Sequence, residues 1–169
     1  MIESVRSSTS ADDAFIESLY PAAFPDEDLV PLVRELVARP DVLSLVATIE
    51  GAIVGHVAFT MCGIHRTDVT AALLGPLAVS PESQRQGVGS LLVRRGMERL
   101  PDVNVVLVLG DPAYYGRFGF TPERSIETPF PIPVAWRDAW QSLRQRDAVD
   151  CAGKLVVPGP WNEPALWAP

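Results

Sequence analysis

The run from Ala71 to Leu109 constrains the fold more than any other part of the chain. Ala71–Val79 is apolar, Ser80–Gln86 polar, Val88–Leu100 helical in period and Val103–Leu109 apolar again. This is strand, loop, helix, strand, and the right-handed crossover rule makes the two strands parallel. Val103–Leu109 is almost continuously apolar, as expected of a central strand covered on both faces. Leu92, Val93, Met97 and Leu100 form one stripe of the helix, with Arg94, Arg95, Glu98 and Arg99 mostly elsewhere. Gly96 in that helix costs about 1 kcal/mol relative to Ala, so a close helix-to-sheet contact is expected there.

The flanking sequence supplies further elements. Ile2–Arg6 alternates like a short strand, and Ser7–Ser10 offers N-cap hydroxyls to a helix from Ala11 to Tyr20 with Ala14, Ile16 and Leu19 inward. Asp26–Asp28 opens a second helix carrying Leu29, Leu32, Val33, Leu36 and Val37, limited by Pro40. Val42–Ile49 and Ile53–Met61, separated by Glu50-Gly51-Ala52, form an antiparallel hairpin. Downstream, Asp111 caps a short helix with Pro112 at its first position, and Gly119 ends it before Phe120. Trp136, Trp140 and Leu143 suit a helix, whereas Trp140, Ser142 and Arg144 suit a strand; Lys154–Val157 is a final strand. No linker divides the 169 residues, so one domain is expected.

The turn between strand and helix carries the chemistry. Glycines at 87 and 89 expose backbone N–H groups at the positive end of a helix dipole, which suits an anion; the plain alternative is a tight turn before a helix. Val88-Gly89-Ser90 lacks the lysine of a Walker loop, and Leu92 stands where the dinucleotide fingerprint needs a small residue. A net charge of −7 argues against a nucleic-acid binder, so an anionic ligand must be held locally. Gly75-Pro76 interrupts the preceding strand, and a ligand with amide groups can fill such a gap as an added strand. Cys62 and Cys151 have no metal-ligand spacing and read as small buried hydrophobes in a reducing compartment. The N-terminus lacks a leader pattern and no stretch approaches the roughly 18 apolar residues of a membrane span, so a cytoplasmic setting is expected.

Leu77-Ala78-Val79-Ser80-Pro81-Glu82-Ser83-Gln84-Arg85-Gln86-Gly87-Val88-Gly89-Ser90 resembles the Arg/Gln-x-x-Gly-x-Gly/Ala segment of the GNAT superfamily of acetyltransferases, and within it the YhbS-like branch. Gly110-Asp111-Pro112-Ala113-Tyr114-Tyr115-Gly116-Arg117-Phe118-Gly119-Phe120 resembles the second family motif, an aromatic pair before Gly-Phe. The resemblance implies an α/β (α+β) fold: a central mixed, mostly antiparallel twisted sheet with a parallel, splayed fourth and fifth strand, flanked by about four helices. It implies a coenzyme core over 71–122 and a variable part over 123–169. It further implies transfer from acetyl-CoA to a primary amine of a small molecule or protein, by direct attack through a tetrahedral intermediate. Gln84, Arg85, Gln86, Gly87, Val88, Gly89 and Ser90 would hold the coenzyme A pyrophosphate, and Leu77, Ala78 and Val79 the pantetheine. The Leu77 N–H would stabilise the oxyanion, and Tyr115 would protonate the thiolate.

Tyr114 reads as structural, and Arg94, Arg95 and Arg99 as a solvated face. No carboxylate lies on 71–76 to serve as base. His56, His65, Asp68 and Asp111 qualify by type only, against plainer readings as a half-exposed hairpin residue, a loop pair and a helix cap. The absent base keeps a non-catalytic acyl-CoA-binding module as the competing reading. The four tryptophans Trp136, Trp140, Trp161 and Trp167 fit an acceptor site or a core, no metal is implied, and an exposed β-edge could pair two copies as a homodimer.

Overall fold

In the computed structural model the described residues are 2, 4–145 and 150–168. The strand expected at Ile2–Arg6 is β1 (Ser4–Ser7), while Glu3 of that segment lies outside the described residues. Asp12 then shapes the first helix. Its Oδ2 accepts the Thr9 N–H at 2.8 Å and pairs with Arg6 Nη1 at 2.7 Å, closing a short 3-10 turn, Ser10–Asp12, that leads into α1 (Asp13–Ala23). Ile16, Leu19 and Tyr20 form its buried stripe. Ala14, expected inward, is exposed, because the inward face is set by the 16, 19, 20 positions of a helix that starts later than expected. α2 (Val30–Val37) buries Leu32, Val33 and Leu36. Asp26–Asp28 precede it rather than forming its first turn, which holds Pro31 instead.

β2 (Val42–Ile49) and β3 (Ala52–Ile64) pair antiparallel around Glu50 and Gly51, both left-handed at φ 51° and 77°. That two-residue turn carries the right twist for a tight hairpin. β4 (Thr70–Val79) leads through the loop to α3 (Val88–Arg99) and β5 (Val105–Leu109). β4 and β5 are parallel, as the crossover requires. Their register runs from Ala71↔Val105 to Leu74↔Val108 and stops before Gly75–Pro76, a cis peptide bond. The parallel pair expected here is therefore present.

Beyond α4 (Pro112–Tyr115) come the two-residue strands β6 (Thr121–Pro122) and β7 (Ile126–Glu127), then β8 (Trp140–Arg144) and β9 (Gly153–Val156). The ambiguity around Trp140 resolves into a 3-10 turn over Val134–Ala139 followed by a strand. The sheet order is β1-β2-β3-β4-β5-β8-β6. β8 is antiparallel to β5, and β9 pairs antiparallel with the end of β3 and parallel with β7. The expected mixed, mostly antiparallel sheet with four α-helices is what the described residues form.

The chain divides into two compact units, Met1–Thr60 with Gly75–Leu100, and Met61–Leu74 with Pro101–Pro169. In the first, Ile16, Leu19, Tyr20, Val33, Val46 and Ala78 form one buried cluster. In the second, Leu73, Leu107, Ile126, Trp140, Leu155 and Trp167 form another. Trp140 and Trp167 are core residues whose indole N–H groups donate to the Ile126 and Trp161 carbonyls at 2.7 and 3.1 Å. Glu123, which no sequence pattern singled out, is buried among four donors: the Ser125 and Ile126 N–H groups, the Ser142 hydroxyl and Arg144. Burial opposes its charge, but these donors together hold its carboxyl below the ordinary range. Cys62 and Cys151 are half-buried rather than buried, and Arg144 Nη1 donates to Cys151 Sγ at 3.3 Å.

Candidate functional site

The loop from β4 to α3 is built to expose backbone. Gly87, at φ 83°, is the residue preceding α3, and a Cβ there would meet nothing within 4 Å, so its left-handed backbone rather than lack of space calls for glycine. The first helical backbone bond is Leu91 N–H to Gly87 O at 3.0 Å. The Val88 and Gly89 N–H groups thus precede the ladder, at the positive end of the helix dipole. Two glutamines brace the loop: Gln84 Nε2 donates to Val79 O at 3.0 Å and Gln86 Nε2 to Glu82 O at 3.1 Å.

Between them Arg85 is exposed and left-handed at φ 63°. Among the described residues its guanidinium has no hydrogen-bond or ion-pair partner. A bulky residue held in this conformation is an uncommon backbone state. The other arginines of α3 are engaged differently: Arg95 pairs with Glu98 at 3.2 Å and Arg99 donates to Val5 O at 3.0 Å. Arg94 is exposed beside them.

Leu77 and Val79 are half-buried and alternate with buried Ala78, and the Ser80 N–H donates to Val54 O at 2.8 Å. β4 and α3 are held down by two glycines. Gly96 behaves as its cost implied: a Cβ there would lie 2.5 Å from Phe59 Cζ and overlap the ring. Gly55, on β3, was not singled out. A Cβ there would lie 2.8 Å from Val88 Cγ1 and 2.9 Å from Leu92 Cδ1, directly beneath the first turn of α3. The available signal was a lone glycine inside a strand pattern.

Tyr115 belongs to the second unit. Asp111 caps α4 by accepting the Ala113 N–H at 2.9 Å, and Gly119 closes the following turn at φ 98°. Gly110 makes room for the Tyr115 ring, since a Cβ there would lie 2.5 Å from Cε2. Tyr114 and Phe120 pack edge-on against that ring at 5.0 and 6.0 Å. Burial, with a smaller contribution from Tyr114, pushes the phenol well above the ordinary tyrosine range. Among the described residues no protein group hydrogen-bonds its hydroxyl. Tyr114 carries Arg117 over its ring at 4.6 Å, in keeping with a structural part.

The four candidate bases separate. His65 and Asp68 are exposed in the loop after β3, and Asp111 is the helix cap just described. His56 overturns its plainer reading: it is fully buried, not half-exposed. Nδ1 lies 2.7 Å from the Tyr20 hydroxyl and Nε2 lies 2.8 Å from the Ser44 hydroxyl. Burial pushes its imidazolium down to about 3, so at neutral pH it is uncharged, with both nitrogens engaged. Such a group has no opening to an amine. Among the described residues no three His, Cys, Asp or Glu side chains gather in a way that could hold a metal ion, and no helix is long and apolar enough to cross a membrane.

The uncharacterized N-acetyltransferase YjhQ of Escherichia coli K12 is 41% identical over 128 residues, covering 70% of each chain. YhbS of the same organism, another uncharacterized N-acetyltransferase, is 35% identical over 122 residues, covering 69% of this chain and 72% of that protein. The crystal structure of E. coli YhbS in complex with CoA matches with a TM-score of 0.84 at 28% identity, over 95% of this chain and 92% of that one. A GNAT family acetyltransferase from Brucella melitensis in complex with acetyl-CoA matches at 0.77 and 27%, over 95% and 98%. The model of the acetyltransferase (GNAT) family matches residues 13–120, and with most of its length so matched the chain belongs to the GNAT family.

Proposed function

We propose that the chain is an N-acetyltransferase that carries the acetyl group of acetyl-CoA to a primary amine, of a small molecule or a protein, by direct attack through a tetrahedral intermediate. The observation that carries this is the loop Gln84–Gly89, where a left-handed glycine, the N–H groups ahead of the helical ladder and an arginine without a partner among the described residues meet at one helix start. The CoA and acetyl-CoA complexes of the two structural relatives support the same ligand.

In this reading the loop from Gln84 to Ser90 holds the pyrophosphate. The backbone of Leu77, Ala78 and Val79 pairs with pantetheine where the register with β5 has ended. The Leu77 N–H meets the oxyanion. Tyr115 donates its proton to the departing thiolate; a phenol raised above its ordinary range keeps that proton until the intermediate collapses. None of His56, His65, Asp68 or Asp111 is assigned as base. The amine reacts in its neutral form and its proton leaves through water. Residues 1–169 are taken as one catalytic domain, acting in the cytoplasm.

The test is thiol release from acetyl-CoA with a panel of primary amines, beside calorimetry with coenzyme A. Micromolar binding with turnover on at least one amine class is expected. Binding with no turnover on any amine would overturn the enzyme reading in favour of a binding module.

A further inference from the structure

His56 is a fully buried polar group that the proposed chemistry does not use. Two other elements of the first unit converge on it. Tyr20 comes from α1, its ring edge-on to the imidazole with centroids 5.8 Å apart. Ser44 comes from β2, and the half-buried Ser8, just past β1, donates to the Ser44 hydroxyl at 2.7 Å. The result is a hydrogen-bonded chain from Ser8 through Ser44 and His56 to Tyr20.

Its inner end shares a buried cluster with the strand proposed to pair with the coenzyme. Tyr20 belongs to the buried cluster that contains Ala78, the residue between Leu77 and Val79. The residues beside His56 also bear on that strand. Val54 O receives the Ser80 N–H, and a Cβ on Gly55 would lie 3.4 Å from Ala78 O as well as against Val88 and Leu92. Residues 54–56 therefore contact β4, the start of α3 and, through Tyr20, α1.

A leucine and a phenylalanine at 56 and 20 would fill the same space without burying polar atoms. What the histidine adds is direction: both ring nitrogens must meet their hydroxyls, which fixes the angle at which α1 sits. We propose that His56 is a positioning residue for coenzyme binding, holding Tyr20 so that α1 bears on Ala78 and sets the backbone of residues 77–79. This rests on the coenzyme reading above.

The experiment is calorimetry with coenzyme A, well below each melting temperature, on wild type, Tyr20→Phe, His56→Leu, the double variant and His56→Asn. Tyr20→Phe removes one oxygen and His56→Leu both contacts; each should weaken binding about fivefold. The double variant should bind no more weakly than the worse single, because both cut one link. His56→Asn keeps a polar atom opposite Tyr20 and should restore affinity to within about twofold of wild type. Should His56→Leu fail to fold, Tyr20→Phe and His56→Asn decide the matter. Lower melting temperatures with wild-type affinity throughout would reduce His56 to a stabilising group and overturn the proposal. A wild type that binds no coenzyme A would overturn the coenzyme reading and this inference with it, whereas a wild type that binds no better than its variants overturns only the inference.

Discussion

Arg85 separates two effects that most phosphate-site mutations confound. Its backbone is left-handed at φ 63° and its guanidinium is exposed without a partner among the described residues. Left-handed backbone costs a residue with a Cβ about 1–2 kcal/mol. Arg85→Ala keeps that strain and removes the charge. Arg85→Gly removes both, and loses about 0.4–1 kcal/mol through a freer unfolded chain. The glycine variant should therefore be more stable than the alanine variant by roughly 0.5–1 kcal/mol, or about 1–4 °C in melting temperature for a chain of this size. Both variants should bind coenzyme A about five- to twentyfold more weakly at low salt, and the gap from wild type should narrow at high salt because an exposed charge is screened. Differential scanning fluorimetry and calorimetry at two ionic strengths read the two effects separately. Equal affinity of Arg85→Ala and wild type at low salt would remove Arg85 from the phosphate site, and a glycine variant no more stable than alanine would mean that no strain is stored there.

Tyr115→Phe should lower turnover by about a hundredfold while coenzyme affinity stays within about twofold in calorimetry; unchanged turnover would remove Tyr115 from the mechanism. His56, depressed to about 3 in the fold against about 6.5 unfolded, contributes stability that is present above pH 6.5 and lost as pH falls toward 3. Melting temperature should therefore drop more gently over that window in His56→Asn than in wild type, and parallel curves would contradict the burial argument. Gly96→Ala gains about 1 kcal/mol of helix propensity but forces a methyl into the Phe59 ring at a cost of about 1–3 kcal/mol, so a net loss is expected in urea titration. Phe59→Leu should make the same change favourable.

The strand, loop, helix and strand of 71–109 were readable because each element carries its own period or turn signal, and Glu50-Gly51 and Asp111-Pro112 are local chemistry of the same kind. The candidate loop was readable for the same reason. His56 was not, since its partners lie 36 and 12 positions away, and β3 is buried on both faces, so polar and apolar residues there do not alternate by exposure. Trp140–Arg144 satisfied a helical and a strand period equally, and its pairing with β5 decided between them. Glu123 draws its donors from 125, 126, 142 and 144, a grouping that only folding assembles.

Gly55 and Gly96 fasten α3 by atoms that are missing, one on the strand beneath its first turn and one on the helix above Phe59. Any larger side chain at either position must lift the helix or displace a buried neighbour, and would carry with it the N–H groups proposed to bind phosphate. If the chain acts as proposed, its donor end thus has little freedom to drift. Changes that retune which amine is accepted have to accumulate on parts of the chain that do not touch α3, so acceptor choice can diversify while the grip on the donor stays fixed.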